Sequence, residues 1–207
     1  MLRSCNNELD EMLLRRASRI VFYGEAGSGK TNLILNILKC SVQSIDPSLS
    51  FIYISTEGSI VLNRFIRLGL NRQNLFFAMA LDQSHIIEVL LQILHDMKYI
   101  RPIAIVVDSI NHYYRIEALN NGNKKFLEIL VLLDYFNDHD IYIISSAQVH
   151  IENGEEMISG IDIINLWADF IVEIKKDSKS TRILKFVKPN IAKSFRFVIT
   201  DSGIVWV

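Results

Sequence analysis

The sequence predicts an α/β fold built on a mainly parallel sheet, and three observations lead there. Strand-length apolar runs alternate with helical patterns over the first 150 residues, the layout of a parallel sheet joined by right-handed crossovers. The run IAIVVD (103–108) has no polar residue before its end, which suits a central strand covered on both faces. From residue 169 onward, strand runs follow one another with connectors of hairpin length, so the sheet is expected to continue as an antiparallel β-meander.

Each element has its own signal. RIVFY (19–23) is a short apolar run that meets Gly24. Leu33, Ile34, Ile37, Leu38 and Val42 then recur at helical spacing. FIYIST (51–56) is a second strand, ending at Glu57. The stretch 59–70 reads as a helix, with apolar Val61, Leu62, Phe65, Ile66 and Leu68 around Arg64 and Arg67. NLFFAMA (74–80) is a third strand. A long helix follows over 82–99, capped by Asp82 or Ser84. An apolar-rich helix over 126–136 leads to the strand IYIISSA (141–147) and Gln148. DFIVEIKK, TRILKFVKP, FRFVIT and IVWV make up the tail. A single domain over 1–207 is expected, with residues 1–18 as a lead-in and 149–165 as a mobile loop.

Half of the 207 residues are apolar, enough for a sizeable core, and the net charge is −1. A dedicated nucleic-acid binder carries an excess of Lys and Arg; here any such contact has to be local or shared with a partner. Cys5 and Cys40 are too few and too far apart to suggest a disulfide framework or a metal site. They read as reduced thiols of a cytoplasmic protein. The polar, acidic opening MLRSCNNELDE does not resemble a signal peptide, and no apolar run approaches the ~20 residues that span a bilayer. No membrane role is expected.

The chemistry concentrates in GEAGSGKT (24–31), which fits G-x-x-x-x-G-K-[ST] between a strand and a helix. Such a loop turns several backbone N–H groups toward one phosphate, and the helix N-terminus behind it adds partial positive charge. Gly24, Glu25, Ala26, Gly27, Ser28, Gly29, Lys30, Thr31 and Asn32 are therefore the candidate nucleotide-binding residues. Lys30 reaches the β and γ phosphates, and the Thr31 hydroxyl suits Mg²⁺. Asp108, closing the apolar run, stands where a carboxylate can hold the metal's water shell. Glu57 faces the γ-phosphate if its strand lies beside that of Asp108.

Taken as a set, these residues resemble the RecA superfamily, in its archaeal and eukaryotic branch of RadA, RadB and KaiC-like ATPases. YGEAGSGKTN looks like that branch's Walker A, YISTEGS (53–59) its YIDTEG segment, and IVVDSINHYYR (105–115) its Walker B. IYIISSAQV (141–149) resembles the strand that ends in a γ-phosphate-sensing Gln, and NELDEML (7–13) the segment that precedes the core. The resemblance implies a RecA-like P-loop NTPase using ATP and Mg²⁺. It assigns Glu57 as hydrolytic base, Gln148 as sensor, and Lys185 and Lys188 as candidates that reach a neighbouring subunit's nucleotide. Glu25 stands where the family often has Pro, and no catalytic role attaches to it.

The departures shape the expected function. The amino-terminal DNA-binding domain of full recombinases and the linker Phe of their filaments have no counterpart here, and Leu14, Arg15 and Arg16 replace a glycine run. The stretch 149–165, which matches a strand-gripping loop of recombinases, carries Glu152, Glu155, Glu156 and Asp162 with no Lys or Arg, and phosphate binding requires cations. The other matching loop (111–125) holds Tyr113, Tyr114, Arg115, Lys124 and Lys125, candidates for weak contact with single-stranded DNA; the competing reading has its tyrosines packed on the sheet. The resemblance therefore implies an accessory ATPase in recombination and repair, a monomer or dimer rather than a filament, whose partner is a RadA-type recombinase or another repair protein. The alternative is a KaiC-like signalling or assembly module that binds a protein partner without acting on DNA.

Overall fold

The computed structural model describes residues 1–70, 74–117, 122–152 and 155–207. Six strands run parallel: β1 (Arg19–Gly24), β2 (Ser50–Ser55), β3 (Leu75–Met79), β4 (Pro102–Asp108), β5 (Tyr142–Glu152) and β7 (Phe170–Lys176), with β6 (Glu155–Ile158) folding back on β5. β8 (Thr181–Lys188), β9 (Ser194–Thr200) and β10 (Gly203–Trp206) continue the sheet antiparallel. Across the sheet the order is β10-β9-β8-β7-β1-β5-β4-β2-β3. The helices are α1 (Asn7–Leu13), α2 (Lys30–Val42), α3 (Ile60–Arg67), α4 (Gln83–Ile100), α5 (His112–Glu117), α6 (Gly122–Asn137) and α7 (Ile161–Trp167).

Side-chain alternation along the central strands explains why the sheet is covered on both sides. Ile20, Phe22, Val106 and Ile144 join one core with α1 and α2, including Leu9, Leu33 and Ile37. Val21, Ile105, Val107 and Ile143 join the other with α4 and α6, including Leu90, Phe126 and Leu133. The antiparallel reversal starts one strand later than the tail's first run: β7 enters parallel to β1 and turns back only into β8. α7 supplies the crossover that a parallel entry needs.

α4 begins as its sequence indicates, with the Asp82 carboxylate accepting from the His85 N–H at 2.7 Å. Asp82→Ala is expected to cost about 1 kcal/mol, lowering Tm by about 2–4 °C in a chain of this size, as a thermal melt would register.

Three expectations need correction. First, Cys5 and Cys40 are not free thiols: they form a disulfide with Cα atoms 5.8 Å apart. Their sequence separation of 35 concealed that residues 1–6 lie along α2. There Leu2 is fully buried, and the Arg3 N–H donates to Ser41 Oγ at 2.8 Å. Second, the stretch 149–165 is built largely of regular structure. β5 runs on to Glu152 and pairs with β6, setting Val149 opposite Ile158 and His150 opposite Met157, and α7 follows. VHIE alternates apolar and polar residues, a strand signal that the acidic charge obscured. Third, the stretch 111–125 is partly helical, in α5 and in the first turn of α6; its residues 118–121 fall outside the described ones. Trp167 is buried, and the Trp206 indole packs on Phe195 and Phe197, as core residues do. No helix of the described residues is long and apolar enough to cross a membrane.

Candidate nucleotide-binding site

The carboxyl ends of parallel strands are where open α/β sheets bind ligands, and sheet order decides which residues meet there. Gly24 ends β1 in register with Gln148 of β5. Asp108 ends β4 in register with Ser55 of β2, which places Glu57 just beyond the same edge. Gly24 has φ 149°, and a Cβ there would lie 2.1 Å from the Ile174 carbonyl oxygen, so only glycine lets β7 pass this close. Gly29, at φ 108°, is the N-cap of α2 and directs that helix's first N–H groups at the loop.

Lys30, Thr31, Glu57, Asp108 and Gln148 all line one cavity of about 410 Å³, together with Gly24, Ala26, Gly27, Gly29 and Asn32. The Lys30 ammonium donates to the carbonyls of Gly24 (2.7 Å) and Glu25 (3.0 Å). Burial pulls its pKa below the ordinary lysine value, while the nearby charges of Asp108 and Glu57 oppose that shift.

Asp108 is buried and fully engaged. Its Oδ2 accepts from Thr31 Oγ1 at 2.8 Å and from the Tyr53 hydroxyl, and its Oδ1 accepts from the Ser146 hydroxyl. Burial first, and then the Asp108 charge, hold the Tyr53 pKa well above the ordinary phenol value, so this hydroxyl keeps its proton and donates it. The Asp108–Ser109 peptide bond is cis. A hydroxyl and one buried carboxylate suit Mg²⁺, which takes one or two protein oxygens and fills its shell with water and phosphate. The donor set and the glycine cradle thus fit a magnesium nucleotide.

Glu57 is exposed to the cavity and accepts from Gln148 Nε2 at 2.7 Å. Gln148 is held from several directions. Its Oε1 accepts from Arg115 at 3.1 Å, and its backbone N–H and carbonyl both bond the side chain of buried Asn111, at 2.8 and 2.9 Å. Asn111 also donates to the Ser159 carbonyl at 3.2 Å, so one amide ties together both legs of the β5–β6 hairpin where it leaves the sheet. Arg64 and Arg115 add two cations to the cavity wall. A second cavity of about 200 Å³ shares Asn32 and Arg64 with the first and is otherwise lined by α3 and the β9–β10 turn.

The remaining expected residues lie elsewhere. Glu25 turns its carboxylate outward to Lys176 at 3.1 Å, and Ser28 is fully buried; of these two, neither lines the cavity with its side chain. The Tyr113 hydroxyl donates to the Ala80 carbonyl at 2.9 Å, and the Tyr114 ring packs on Phe126 with centroids 4.6 Å apart. Both rings are therefore used in packing. Lys124 pairs with Glu128 at 3.8 Å and Lys125 with Glu117 at 3.5 Å. Lys185 is exposed on β8, and Lys188 donates to the Asn165 carbonyl at 2.5 Å. Neither lines the cavity. Tyr53, Arg64, Asn111, Ser146 and Lys176 were not anticipated. Register is what would have found Ser146, since Val107 pairs with Ser145 and the next residue flanks Asp108. Among the described residues, no cluster of three or more His, Cys, Asp or Glu could hold a metal.

No family model matches the chain. It is 26% identical over 222 residues to the DNA repair and recombination protein RadB of Methanosphaera stadtmanae, covering 97% of this chain and 94% of that one. RadB of Methanocaldococcus jannaschii is 29% identical over 189 residues, covering 81% and 84%. The DNA repair protein RAD57 of Saccharomyces cerevisiae is 28% identical over 152 residues, covering 61% of this chain and 33% of RAD57.

Proposed function

We propose that this chain, a distant homologue of archaeal RadB and yeast RAD57 among RecA-family proteins, is a cytoplasmic ATP-binding and slowly ATP-hydrolysing accessory protein in recombination and repair. The observation that carries the proposal is the meeting of Lys30, Thr31, Glu57, Asp108 and Gln148 in one cavity at the strand ends. In this reading the loop amides and Lys30 take the phosphates, and Arg64 lies toward the nucleoside through the adjoining cavity. Thr31 and Asp108 would hold Mg²⁺, which would supply charge neutralisation for the phosphates. Tyr53 and Ser146 fix the Asp108 carboxylate. Glu57 accepts the proton of the attacking water, and Gln148, bonded to Glu57, senses the γ-phosphate. Turnover is slow in isolation because such sites are completed by a neighbouring subunit, a role for which Lys185 and Lys188 remain the candidates.

The hairpin that follows Gln148 supports action through a protein partner. Its sequence offers carboxylates and no cation, and a polyanion is gripped by cations. A RadA-type recombinase or another repair protein is the proposed partner, with single-stranded DNA at most a weak ligand.

The test is titration with a non-hydrolysable ATP analogue and Mg²⁺. Saturable binding by the wild type is expected, weakened about 10- to 100-fold in Lys30→Ala, the loss that one or two charge-assisted hydrogen bonds imply. Absence of binding by the wild type, or equal binding by both proteins, overturns the proposal.

A further inference from the structure

We propose that Lys176 is a positioning residue for the phosphate loop: from outside the cavity it pins the Ala26 carbonyl and thereby aims a backbone N–H at the nucleotide. The inference rests on the nucleotide-binding reading above and adds to it a residue in the tail, far from the loop in sequence.

β7 runs beside β1, with Glu173 in register with Tyr23, and its backbone touches Gly24 through the Ile174 carbonyl. Lys176 ends the strand on the same side as Ile174, since alternate residues share a face. Its ammonium donates to the Ala26 carbonyl at 3.3 Å and pairs with the Glu25 carboxylate at 3.1 Å. A Cβ built on Gly27 would lie 3.8 Å from it. Lys176 is not part of the cavity wall, whereas Ala26 and Gly27 are; the amine approaches the loop from its outer side.

Peptide geometry turns that contact into a constraint. The Ala26–Gly27 bond is trans, for the cis bonds are at Asp108–Ser109 and Lys188–Pro189. In a planar trans unit the C=O and N–H point in opposite directions. With its carbonyl held outward by Lys176, this unit presents the Gly27 N–H inward. Lys30 engages the two preceding carbonyls, of Gly24 and Glu25. Two lysines thus occupy three successive carbonyls of the loop, and oriented N–H groups are what an anion-binding nest consists of. Glu25 holds the Lys176 amine over the loop. The pair is roughly half exposed, with side-chain exposures of 41% and 45%, and such pairs add little to folding stability. The effect therefore belongs in nucleotide affinity rather than in Tm.

The experiment compares affinity for a non-hydrolysable ATP analogue with Mg²⁺ across wild type, Lys176→Met, Lys176→Arg, Lys179→Met and Lys30→Ala. Lys176→Met is expected to bind three- to tenfold more weakly with Tm unchanged. Lys176→Arg, which can still donate to the carbonyl, is expected within twofold of wild type. Lys179→Met removes the same charge from the adjoining turn and is also expected within twofold. If Lys30→Ala loses binding while Lys176→Met matches wild type, the inference falls and the nucleotide reading stands. Equal losses in Lys179→Met and Lys176→Met, or no rescue by Arg, also overturn it, because the effect would then be bulk charge or local damage. A wild type that binds no nucleotide overturns both readings.

Discussion

Glu57→Gln is expected to lower phosphate release from ATP by about 10²- to 10⁴-fold, the usual contribution of a positioned general base, while nucleotide affinity stays within about threefold. The separation of the two effects follows from the geometry. Glu57 stands just past β2, beside the strand that ends in Asp108, and its Oε1 accepts a 2.7 Å bond from Gln148. A glutamine keeps an oxygen that can accept that bond, so the Glu57–Gln148–Arg115 arrangement survives. What it lacks is a basic lone pair for the proton of water. Lys30, Thr31 and the loop amides are unaltered, so the ground-state complex is preserved. Single-turnover phosphate release and analogue titration measure the two quantities separately. Equal release by wild type and variant would remove Glu57 from the base role. ATP-dependent capture of a recombinase that persists undiminished in Glu57→Gln would favour a module driven by binding alone.

The sequence exposed those parts of the site that are local in the chain. The glycine spacing before Lys30 and Thr31 is a property of eight consecutive residues, and strand, loop and helix followed in order. Asp108 was visible because an uninterrupted apolar run has a definable end. The parts that were hidden depend on which strands become neighbours. Ser146 reaches Asp108 because β4 and β5 pair, and Tyr53 reaches it because β2 pairs with β4 on the other side. Arg115 reads in the sequence as a loop cation suited to a nucleic acid; in the fold it lies on α5, lines the cavity wall and bonds Gln148. The stretch 149–165 is acidic, yet in the fold its alternation decides, as period-2 apolar placement does for strands. Charge describes what a segment can bind, and periodicity describes what shape it takes.

Opening the Cys5–Cys40 bond, by reductant or by Cys5→Ser with Cys40→Ser, is expected to cost about 3–4 kcal/mol, which loop closure predicts for a cross-link spanning 35 residues. In a chain of this length the loss corresponds to a fall of about 10 °C in Tm. Alkylation of the unreduced protein should add no mass, and alkylation after reduction should add two groups. The folded contacts around the bond do not depend on it. Leu2 is fully buried, Asn36 donates to the Ser4 carbonyl at 2.9 Å, and the Trp206 indole donates to the same carbonyl at 3.0 Å. These contacts keep residues 1–6 against α2 and β10 after reduction, so the native state changes little and the penalty lies in the unfolded chain. Denaturant melts can tell the two locations apart. If the cross-link acts on the unfolded ensemble, the reduced protein exposes more surface on unfolding and its m value rises while its midpoint falls. If reduction instead frees residues 1–6 from the folded protein, less surface remains to be exposed and m falls with the midpoint. The packing of Leu2 and the convergence of two donors on Ser4 favour the first outcome, in which the phosphate loop, enclosed by the cross-link but not held by it, retains its affinity for nucleotide.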